Sequence, residues 1–263
     1  MTNHLEIEVA ANGVATVTFA RPEQQNRFDV ADLEALMAAL ERLEADAAVR
    51  ALVVTGKGKH FSAGASTATL DGLRSARPLD IHGTVYARAQ GVARAIYRSS
   101  KPVVAAVSGA AITLGCEFAL ACDFRLVDET AFFQEAWIKL GLLPPLGGMY
   151  LLPRMIGVTR AAEMVLQGRE VKAEEAVAIG LANRIVAREA LLKEAQALAA
   201  ELGALSPAAY RFAKQAFHRA VESTIETEWS ANAMAQAMLI SSEDFSEAMQ
   251  SLKERRKPSF KGR

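Results

Sequence analysis

The sequence KPVVAAVSG, residues 101–109, places five apolar residues in a row between a proline and a turn. An unbroken apolar run of this length, bounded by turn residues, predicts a strand buried on both faces. Small residues follow at 108–114, and residues 115–122 then have the composition of a buried helix. A short strand is predicted at 124–127. Strand and helix therefore alternate, which indicates an α/β architecture.

The same design is found towards the N-terminus. Residues 5–9 and 14–19 alternate on either side of the turn Asn12-Gly13, which predicts an antiparallel hairpin. Apolar residues recur at spacings of three and four over 30–46, as in an amphipathic helix. The apolar run at 51–55 is the next predicted buried strand.

Two regions remain, residues 67–86 and the chain beyond Pro153, and helical patterns dominate the second of them. Residues 67–86 show little periodicity and predict either a mobile segment over a site or a frayed helix. One short strand is predicted at 182–186. The other patterns beyond Pro153 are helical and cover residues 161–166, 173–178, 188–202, 207–221, 224–239 and 242–255.

Size and charge limit the possible functions. The chain has 263 residues, of which 51% are apolar, enough for one large core. Its 30 basic and 30 acidic side chains cancel, so no broad positive field would hold a nucleic acid backbone. We therefore expect no nucleic acid partner.

The N-terminus and the cysteines bear on location. The first residues lack the apolar segment of a signal peptide, and no run of about eighteen apolar residues predicts a membrane span. Cys116 and Cys122 lie six apart in a predicted helix and point to different sides, which favours free thiols. We expect a cytoplasmic protein with no membrane partner.

Two turns of small residues follow predicted buried strands. They are TGKGKHFSAGAS at 55–66 and SGAAITL at 108–114. At such turns a backbone can approach a ligand closely and present N–H groups, so two facing turns would make an oxyanion hole. Taken singly, each is better interpreted as an ordinary turn.

Glu117 is the candidate catalytic residue, because its helix, residues 114–122, is apolar on every side. Burial raises the pKa of a carboxyl group towards the range that is useful for proton transfer. The alternative is a carboxylate that stabilises a helix N-terminus electrostatically.

These stretches together resemble the crotonase (enoyl-CoA hydratase/isomerase) family. The similarity covers nearly the whole chain, and its motifs occur in the family's order and spacing. They are FSAGA at 61–65, KPVVAAVSG at 101–109, GCEFALACD at 115–123, KLGLLP at 139–144, GG at 147–148, LPR at 152–154 and the segment 253–260.

The resemblance implies a fold and an assembly. It implies a spiral core of repeated ββα turns at residues 1–200, with a helical region at 201–263 that covers the site and packs subunits together. The family forms homotrimers and dimers of trimers, and apolar residues between Ser230 and Leu239 supply a plausible contact surface.

The resemblance also implies site residues. The two oxyanion-hole donors correspond to the backbone N–H groups of Ala65 and Leu114. Leu114 replaces the usual glycine, which implies a tighter site. Glu117 matches the first of the two glutamates that hydratases of this family use, but the second position is held by Trp137. Glu135 lies two residues earlier.

Other family chemistries depend on an aspartate that would fall at Pro145, which weakens those interpretations. Trp137 is expected either to wall the acyl pocket, which would favour a flat or bulky acyl group by aromatic packing, or simply to lie in the core. His60 and Tyr86 could reach a substrate, although a histidine close to two lysines is typical of a solvated surface.

The remaining implied contacts concern the substrate. Ser66, Thr67, Ala68, Trp137 and Glu135 are the expected substrate-binding residues. The candidates for the phosphates and adenine of coenzyme A are Lys57, Lys257, Phe260 and Lys261, each of which could equally be a solvated side chain.

The resemblance thus predicts an enzyme that acts on an acyl-CoA thioester, most simply by hydrating a 2-enoyl-CoA with Glu117 as acid and base. Two alternatives stay open: a double-bond isomerase and a non-catalytic acyl-CoA binder. Coenzyme A would enter as part of the substrate, and we expect no separate cofactor and no metal.

Overall fold

The computed structural model describes residues 4–262. Residues 1–3 of the predicted core region 1–200, and residue 263 of the predicted helical region 201–263, lie outside the described residues. Its larger sheet has the strand order β1-β2-β3-β4-β6-β9, and a smaller sheet has the order β5-β7-β8. The strands are β1 Leu5–Val9, β2 Val14–Phe19, β3 Ala51–Gly56, β4 Val103–Val107, β5 Ala110–Ile112, β6 Phe124–Val127, β7 Phe132–Gln134, β8 Glu170–Lys172 and β9 Arg184–Ile185.

The helices surround these sheets. They are α1 Val30–Ala45, α2 Thr67–Arg74, α3 Pro78–Gly83, α4 Gln90–Arg98, α5 Leu114–Ala121, α6 Gly148–Ile156, α7 Val158–Leu166, α8 Ala173–Ala178, α9 Leu191–Gly203, α10 Pro207–Ala220, α11 Ile225–Ile240 and α12 Glu243–Glu254. A π-helical turn, Thr84–Ala89, joins α3 to α4, and a 3-10 helix, Ala136–Leu140, follows β7.

The central strands are buried on both faces, as the apolar runs predict. In β3, Leu52 and Val54 belong to the main core, whereas Ala51 and Val53 belong to a second cluster that includes Leu191 of α9. Since β3 and β4 run parallel, their carboxyl ends lie at the same edge of the sheet. The two turns of small residues therefore leave the sheet side by side.

Most predicted elements are confirmed. The hairpin of β1 and β2 is antiparallel, and the long helices lie where periodicity places them. Residues 67–86 form short helices, and the strand predicted at 182–186 is only Arg184–Ile185. Both cysteines are free and buried.

The smaller sheet and α6 are not predicted by the sequence patterns. Each strand of the smaller sheet has three residues, too few for a period to be visible. Helix α6 contains Pro153, which in a sequence normally argues against a helix interior. In the described part of the chain, no helix has the length and apolar character needed to cross a membrane.

Candidate active site

The two turns after β3 and β4 are joined by backbone hydrogen bonds. Ser62 forms a parallel bridge with Ala111. The Ser62 N–H donates to the carbonyl of Ala110, and the Ile112 N–H donates to the carbonyl of Ser62, both at 2.9 Å. These bonds hold the segment that ends at Ala65 against the segment that ends at Leu114.

Gly64 allows this close approach. Its φ is +90°, a conformation that favours glycine. A Cβ atom at this position would lie 1.9 Å from Oγ1 of Thr113. Thr113 itself has a φ of +50°, which is rare for a β-branched residue and turns the backbone into α5. Strained backbone of this kind is often found at functional sites.

Two backbone N–H groups remain free where the turns meet. Within residues 4–262, neither the Ala65 N–H nor the Leu114 N–H donates a hydrogen bond, although the neighbouring Ser66 N–H donates to Phe28. Both residues are buried. Two unpaired donors on adjacent, water-excluding turns provide the arrangement that an oxyanion requires. The role of Ala65 and Leu114 as oxyanion donors stays a prediction.

Glu117 lies one turn into α5 and is 1% exposed. Its Oε2 accepts hydrogen bonds from the N–H groups of Leu146 and Gly148, the latter at 3.2 Å, while Oε1 has no partner in the described part of the chain. Burial raises the pKa of Glu117 to about 7, although the two backbone donors oppose this rise. The carboxylate therefore stabilises the N-terminus of α6 through one oxygen and leaves the other oxygen without a partner among the described residues.

Glu135 and Trp137 lie beside Glu117. Glu135 is fully buried at the start of the 3-10 helix, and Trp137 is 6% exposed. Among the described residues, neither the oxygens of Glu135 nor the indole Nε1 of Trp137 form a hydrogen bond of normal geometry, although the Trp137 indole and the Cys116 thiol lie close enough to Glu135 to oppose a rise of its pKa. Burial first, and the charge of Glu117 second, raise the pKa of Glu135 well above its usual range. The site thus contains a second carboxyl group that sequence spacing alone could not orient.

Residues 66–68 continue from the oxyanion turn into α2. Ser66 is the N-cap of this helix: its hydroxyl accepts from the Thr69 N–H and donates to Asp29. Thr67 and Ala68 are exposed. Contact of these residues with a ligand at Ala65 stays a prediction.

The predicted coenzyme A contacts lie apart from this site within one chain. Phe260 and Lys261 lie at the amino end of β3, where Arg50 donates to the Phe260 carbonyl and Asp244 accepts from the Lys261 N–H. Lys257 is exposed in the same terminal segment. The oxyanion turns lie at the opposite, carboxyl end of the strands, so the chain does not bring these three residues to its own Glu117.

Three further side chains named from sequence have defined positions. Lys57 forms a 2.6 Å ion pair with Glu6 at the surface. Nδ1 of His60 accepts the Ala110 N–H at 3.1 Å, so this histidine supports the second turn. Tyr86 is exposed and lies under the guanidinium of Arg94.

Sequence reasoning did not identify Leu146, Gly148 and Gln90. The first two hold Glu117 through their backbones, which leaves no side-chain signal. Gln90 donates to the carbonyl of Pro145. No group of three or more His, Cys, Asp or Glu side chains within residues 4–262 could hold a metal ion.

Comparisons with known proteins agree with this geometry. A model of the enoyl-CoA hydratase/isomerase family matches residues 9–263. The chain is 36% identical over 250 residues to a protein of Rhizobium meliloti (strain 1021) named "Probable enoyl-CoA hydratase", covering 95% of each. It is 33% identical over 248 residues to the crotonyl-CoA hydratase of Syntrophomonas wolfei, covering 94% of each.

A solved structure extends the likeness to the fold. The crystal structure of enoyl-CoA hydratase from Bacillus anthracis matches with a TM-score of 0.92 at 30% identity, covering 99% of this chain and 100% of that one. The crotonase-type fold expected from the motifs is therefore confirmed. The chain belongs to the enoyl-CoA hydratase/isomerase family.

Proposed function

We propose that this protein is an acyl-CoA-processing enzyme that adds water to the double bond of a 2-enoyl-CoA thioester. The observation that carries the proposal is the placement of Glu117. Its side chain is buried, and one of its oxygens has no hydrogen-bond partner among the described residues. It lies one turn after Leu114, whose unpaired N–H group is on the turn that adjoins the turn of Ala65. Relatives named as enoyl-CoA hydratases over nearly the whole chain support the same reaction.

The proposed reaction uses these groups in sequence. The thioester carbonyl oxygen accepts the N–H groups of Ala65 and Leu114. Glu117 takes a proton from water as the water oxygen bonds to the β carbon, and the double-bond electrons move through the α carbon onto the carbonyl oxygen. The two N–H groups stabilise the resulting enolate. A proton then returns to the α carbon and the carbonyl re-forms.

A pKa near 7 suits Glu117 for this role, because a group that titrates close to the working pH can both accept and release a proton. General acid–base catalysis of this kind contributes roughly 10²–10⁴ in rate. The hydrogen bonds from Leu146 and Gly148 fix one oxygen, so the other is the reactive one.

Double-bond isomerisation is the second candidate. It uses the same enolate, but one carboxylate moves a proton between two carbons of the acyl chain and no water is added. The presence of Trp137 at the family's second glutamate position favours it. A third possibility, binding of an acyl-CoA without turnover, predicts that substitution of Glu117 leaves function intact.

We further propose that the acyl group is short. Support comes from the bulk of Trp137 and Leu114, both buried near Glu117, and from the relative from Syntrophomonas wolfei, which is named for crotonyl-CoA, a short enoyl thioester. Coenzyme A enters as part of the substrate, and no separate cofactor is proposed. Ser66, Thr67 and Ala68 are the proposed neighbours of the bound thioester.

We propose a homotrimer or a dimer of trimers. Support comes from large apolar side chains that stay exposed on α10 and α11, among them Phe217, Trp229 and Met234. In such an assembly the terminal residues Lys257, Phe260 and Lys261 could contact the coenzyme A of a neighbouring subunit. The two free thiols are typical of a reducing compartment, which supports a cytoplasmic location.

The test is turnover of short-chain, long-chain and aromatic enoyl-CoA thioesters, following both loss of the conjugated absorbance and migration of the double bond. Wild-type protein and Glu117→Gln are compared. Hydration of short substrates that falls about 10³-fold in the variant is expected. Migration without hydration would establish the isomerase, and tight binding without turnover in either protein would establish the binder.

A further inference from the structure

We propose that Glu135 is a second catalytic carboxyl group, which gives its proton to the α carbon of the substrate while Glu117 takes one from water. This inference rests on the proposed hydration. It assigns the acid role to a residue two positions before Trp137, on the basis of where its side chain lies.

The first observation is that Glu135 has neither a cationic partner nor a backbone N–H partner among the described residues. The side chain is 0% exposed, and neither of its oxygens is hydrogen-bonded within the described residues. A buried carboxyl group without a partner destabilises a fold, and a purely structural glutamate is normally paired. Its nearest polar neighbours are the Cys116 thiol and the Trp137 indole N–H, which oppose the rise of its pKa but form no hydrogen bond of normal geometry with it in the described part of the chain.

The second observation is that the two carboxyl groups converge. A Cβ atom on Gly148 would lie 3.1 Å from Oε1 of Glu135 and 3.4 Å from the carboxyl carbon of Glu117. Both groups therefore flank the same point at the N-terminus of α6. Glu117 has a free oxygen there as well, so two unpaired carboxyl groups adjoin one place close to the oxyanion turns.

Electrostatics assigns a different protonation state to each carboxyl group. Two carboxylates this close in a buried site cannot easily both be ionised, so the pair holds one proton. The negative charge is more stable on Glu117, which accepts two backbone N–H groups at a helix N-terminus. Glu135 has no backbone donor, only the thiol of Cys116 and the indole N–H of Trp137 nearby, and it keeps the proton. The neutral group is the acid and the charged group is the base.

The reaction then balances. Glu117 accepts a proton from water as the oxygen–carbon bond forms at the β carbon, and the enolate forms. Glu135 releases its proton to the α carbon as the carbon–hydrogen bond forms and the carbonyl is restored. Glu117 is now neutral and Glu135 charged, and one proton passes from Glu117 to Glu135 to restore the starting state. One water is consumed and no oxidant or reductant takes part.

The experiment compares wild type, Glu135→Gln and Glu135→Asp on the best enoyl-CoA substrate, with kcat and KM measured from pH 5 to 10. Glu135→Gln keeps the shape and burial of the side chain but cannot donate an acidic proton. We expect kcat to fall at least 100-fold with KM changed less than threefold, and the basic limb of the pH profile to disappear from the residual activity. Glu135→Asp should recover part of the rate.

Infrared difference spectra between wild type and Glu135→Gln provide a readout independent of turnover. A protonated carboxyl band at neutral pH that is absent from the variant supports the assignment. Thermal unfolding controls for folding, and Glu135→Gln should be at least as stable as wild type because an unpaired acid is removed.

The outcomes separate the two proposals. Wild-type hydration with Glu135→Gln within threefold of it, and with the same pH profile, overturns the acid role but leaves the proposed function standing. Absence of any turnover in wild type overturns the proposed function, and the acid role fails with it. If Glu135→Gln and Glu135→Asp both lost kcat/KM equally, and only because KM rose, Glu135 would be a structural residue and the acid role would also be overturned.

Discussion

The side-chain amide of Gln90 donates a 2.6 Å hydrogen bond to the carbonyl oxygen of Pro145. That carbonyl belongs to the same peptide group as the Leu146 N–H, which donates to Oε2 of Glu117. Because a peptide group is planar and rigid, fixing its oxygen also fixes its N–H. Gln90, on α4, therefore orients a donor to the carboxylate of Glu117 without touching that carboxylate.

Substitution of Gln90 by Met should move the acid limb of the pH profile for kcat/KM to higher pH. Met retains the length of the side chain but cannot donate, so the Leu146 N–H loses its orientation. That N–H lowers the pKa of Glu117, and weakening it lets the pKa rise further above its usual value. Less of the enzyme then has the ionised base at neutral pH. We expect a shift of the acid limb with a rate at high pH close to wild type.

The matched control is Gln196→Met. Gln196 also lies on a helix and donates from its side chain, in this case to Oγ1 of Thr16 on the face of the sheet covered by α9. Its profile should superimpose on wild type. An unshifted acid limb in Gln90→Met would show that Leu146 is held by its own loop instead.

Replacement of Gly64 by Ala should disable the oxyanion turns. The added methyl group would meet Thr113 Oγ1 at 1.9 Å, and the residue would have to keep a φ of +90°. The turns must separate, which moves the Ala65 and Leu114 N–H groups apart. Loss of an oxyanion donor costs about 10²–10³ in kcat, and we expect a fall of that size in steady-state assays of enoyl-CoA hydration.

Gly72→Ala is the control for this substitution, because nothing lies within 4 Å of its added Cβ. It should leave kcat unchanged. If Gly64→Ala retained full activity with a native circular dichroism spectrum, the two N–H groups would not be the oxyanion donors.

The elements that could be predicted from sequence are those whose own residues show a recognisable pattern of apolar positions. The apolar runs of β3 and β4 have alternate residues in two different cores, so every position had to be apolar. Helices α9, α10 and α12 carry apolar residues every three or four positions over twelve or more residues. Glu117 stood out because its neighbours along the chain are all apolar or small.

Glu135 and Gln90 had no such signal. Glu135 follows a three-residue strand and begins a 3-10 helix, and the direction of a side chain in that setting depends on contacts from distant parts of the chain. The role of Gln90 depends on a loop 55 residues away in sequence. Contacts of this kind are fixed by tertiary packing, which periodicity does not encode.

Arg125 should be a major determinant of stability for the helix that bears Glu117. Its guanidinium is buried and donates to the carbonyl oxygens of Leu181, Ala119 and Cys122. It therefore caps the C-terminal end of α5, where a positive charge also complements the helix dipole. Arg125→Met leaves these carbonyls unpaired, and we expect the free energy of unfolding to fall by about 3 kcal/mol.

Urea unfolding at pH 7.5 measures this loss. Arg77→Met serves as the control, since Arg77 pairs with Asp80 on the surface and its removal should not change the midpoint detectably. A small effect of Arg125→Met would mean that water replaces the guanidinium at the end of α5.

His60 should make the second oxyanion turn sensitive to acid. Its Nδ1 accepts the Ala110 N–H, which requires that this nitrogen carries no proton. Burial lowers the pKa of His60, and the charges of Arg188 and Lys59 lower it further. Below the histidine's usual pKa of about 6.5, the unfolded chain takes up a proton before the folded one does. His60 thus contributes stability that is complete above that pH and is lost as the pH falls through the lower, folded-state pKa.

The measurement is the free energy of unfolding at pH 7.5 and pH 5 for wild type and His60→Gln. Glutamine can offer an oxygen to the Ala110 N–H at both pH values but does not titrate, so the variant should lose less stability on acidification than wild type. Wild type should also lose more activity on acidification than His60→Gln. Protonated His60 can no longer accept the Ala110 N–H, and the carbonyl of Ala110 accepts from the Ser62 N–H, which joins the two turns. Equal losses in the two proteins would place the acid sensitivity in other groups and leave His60 with a purely steric role.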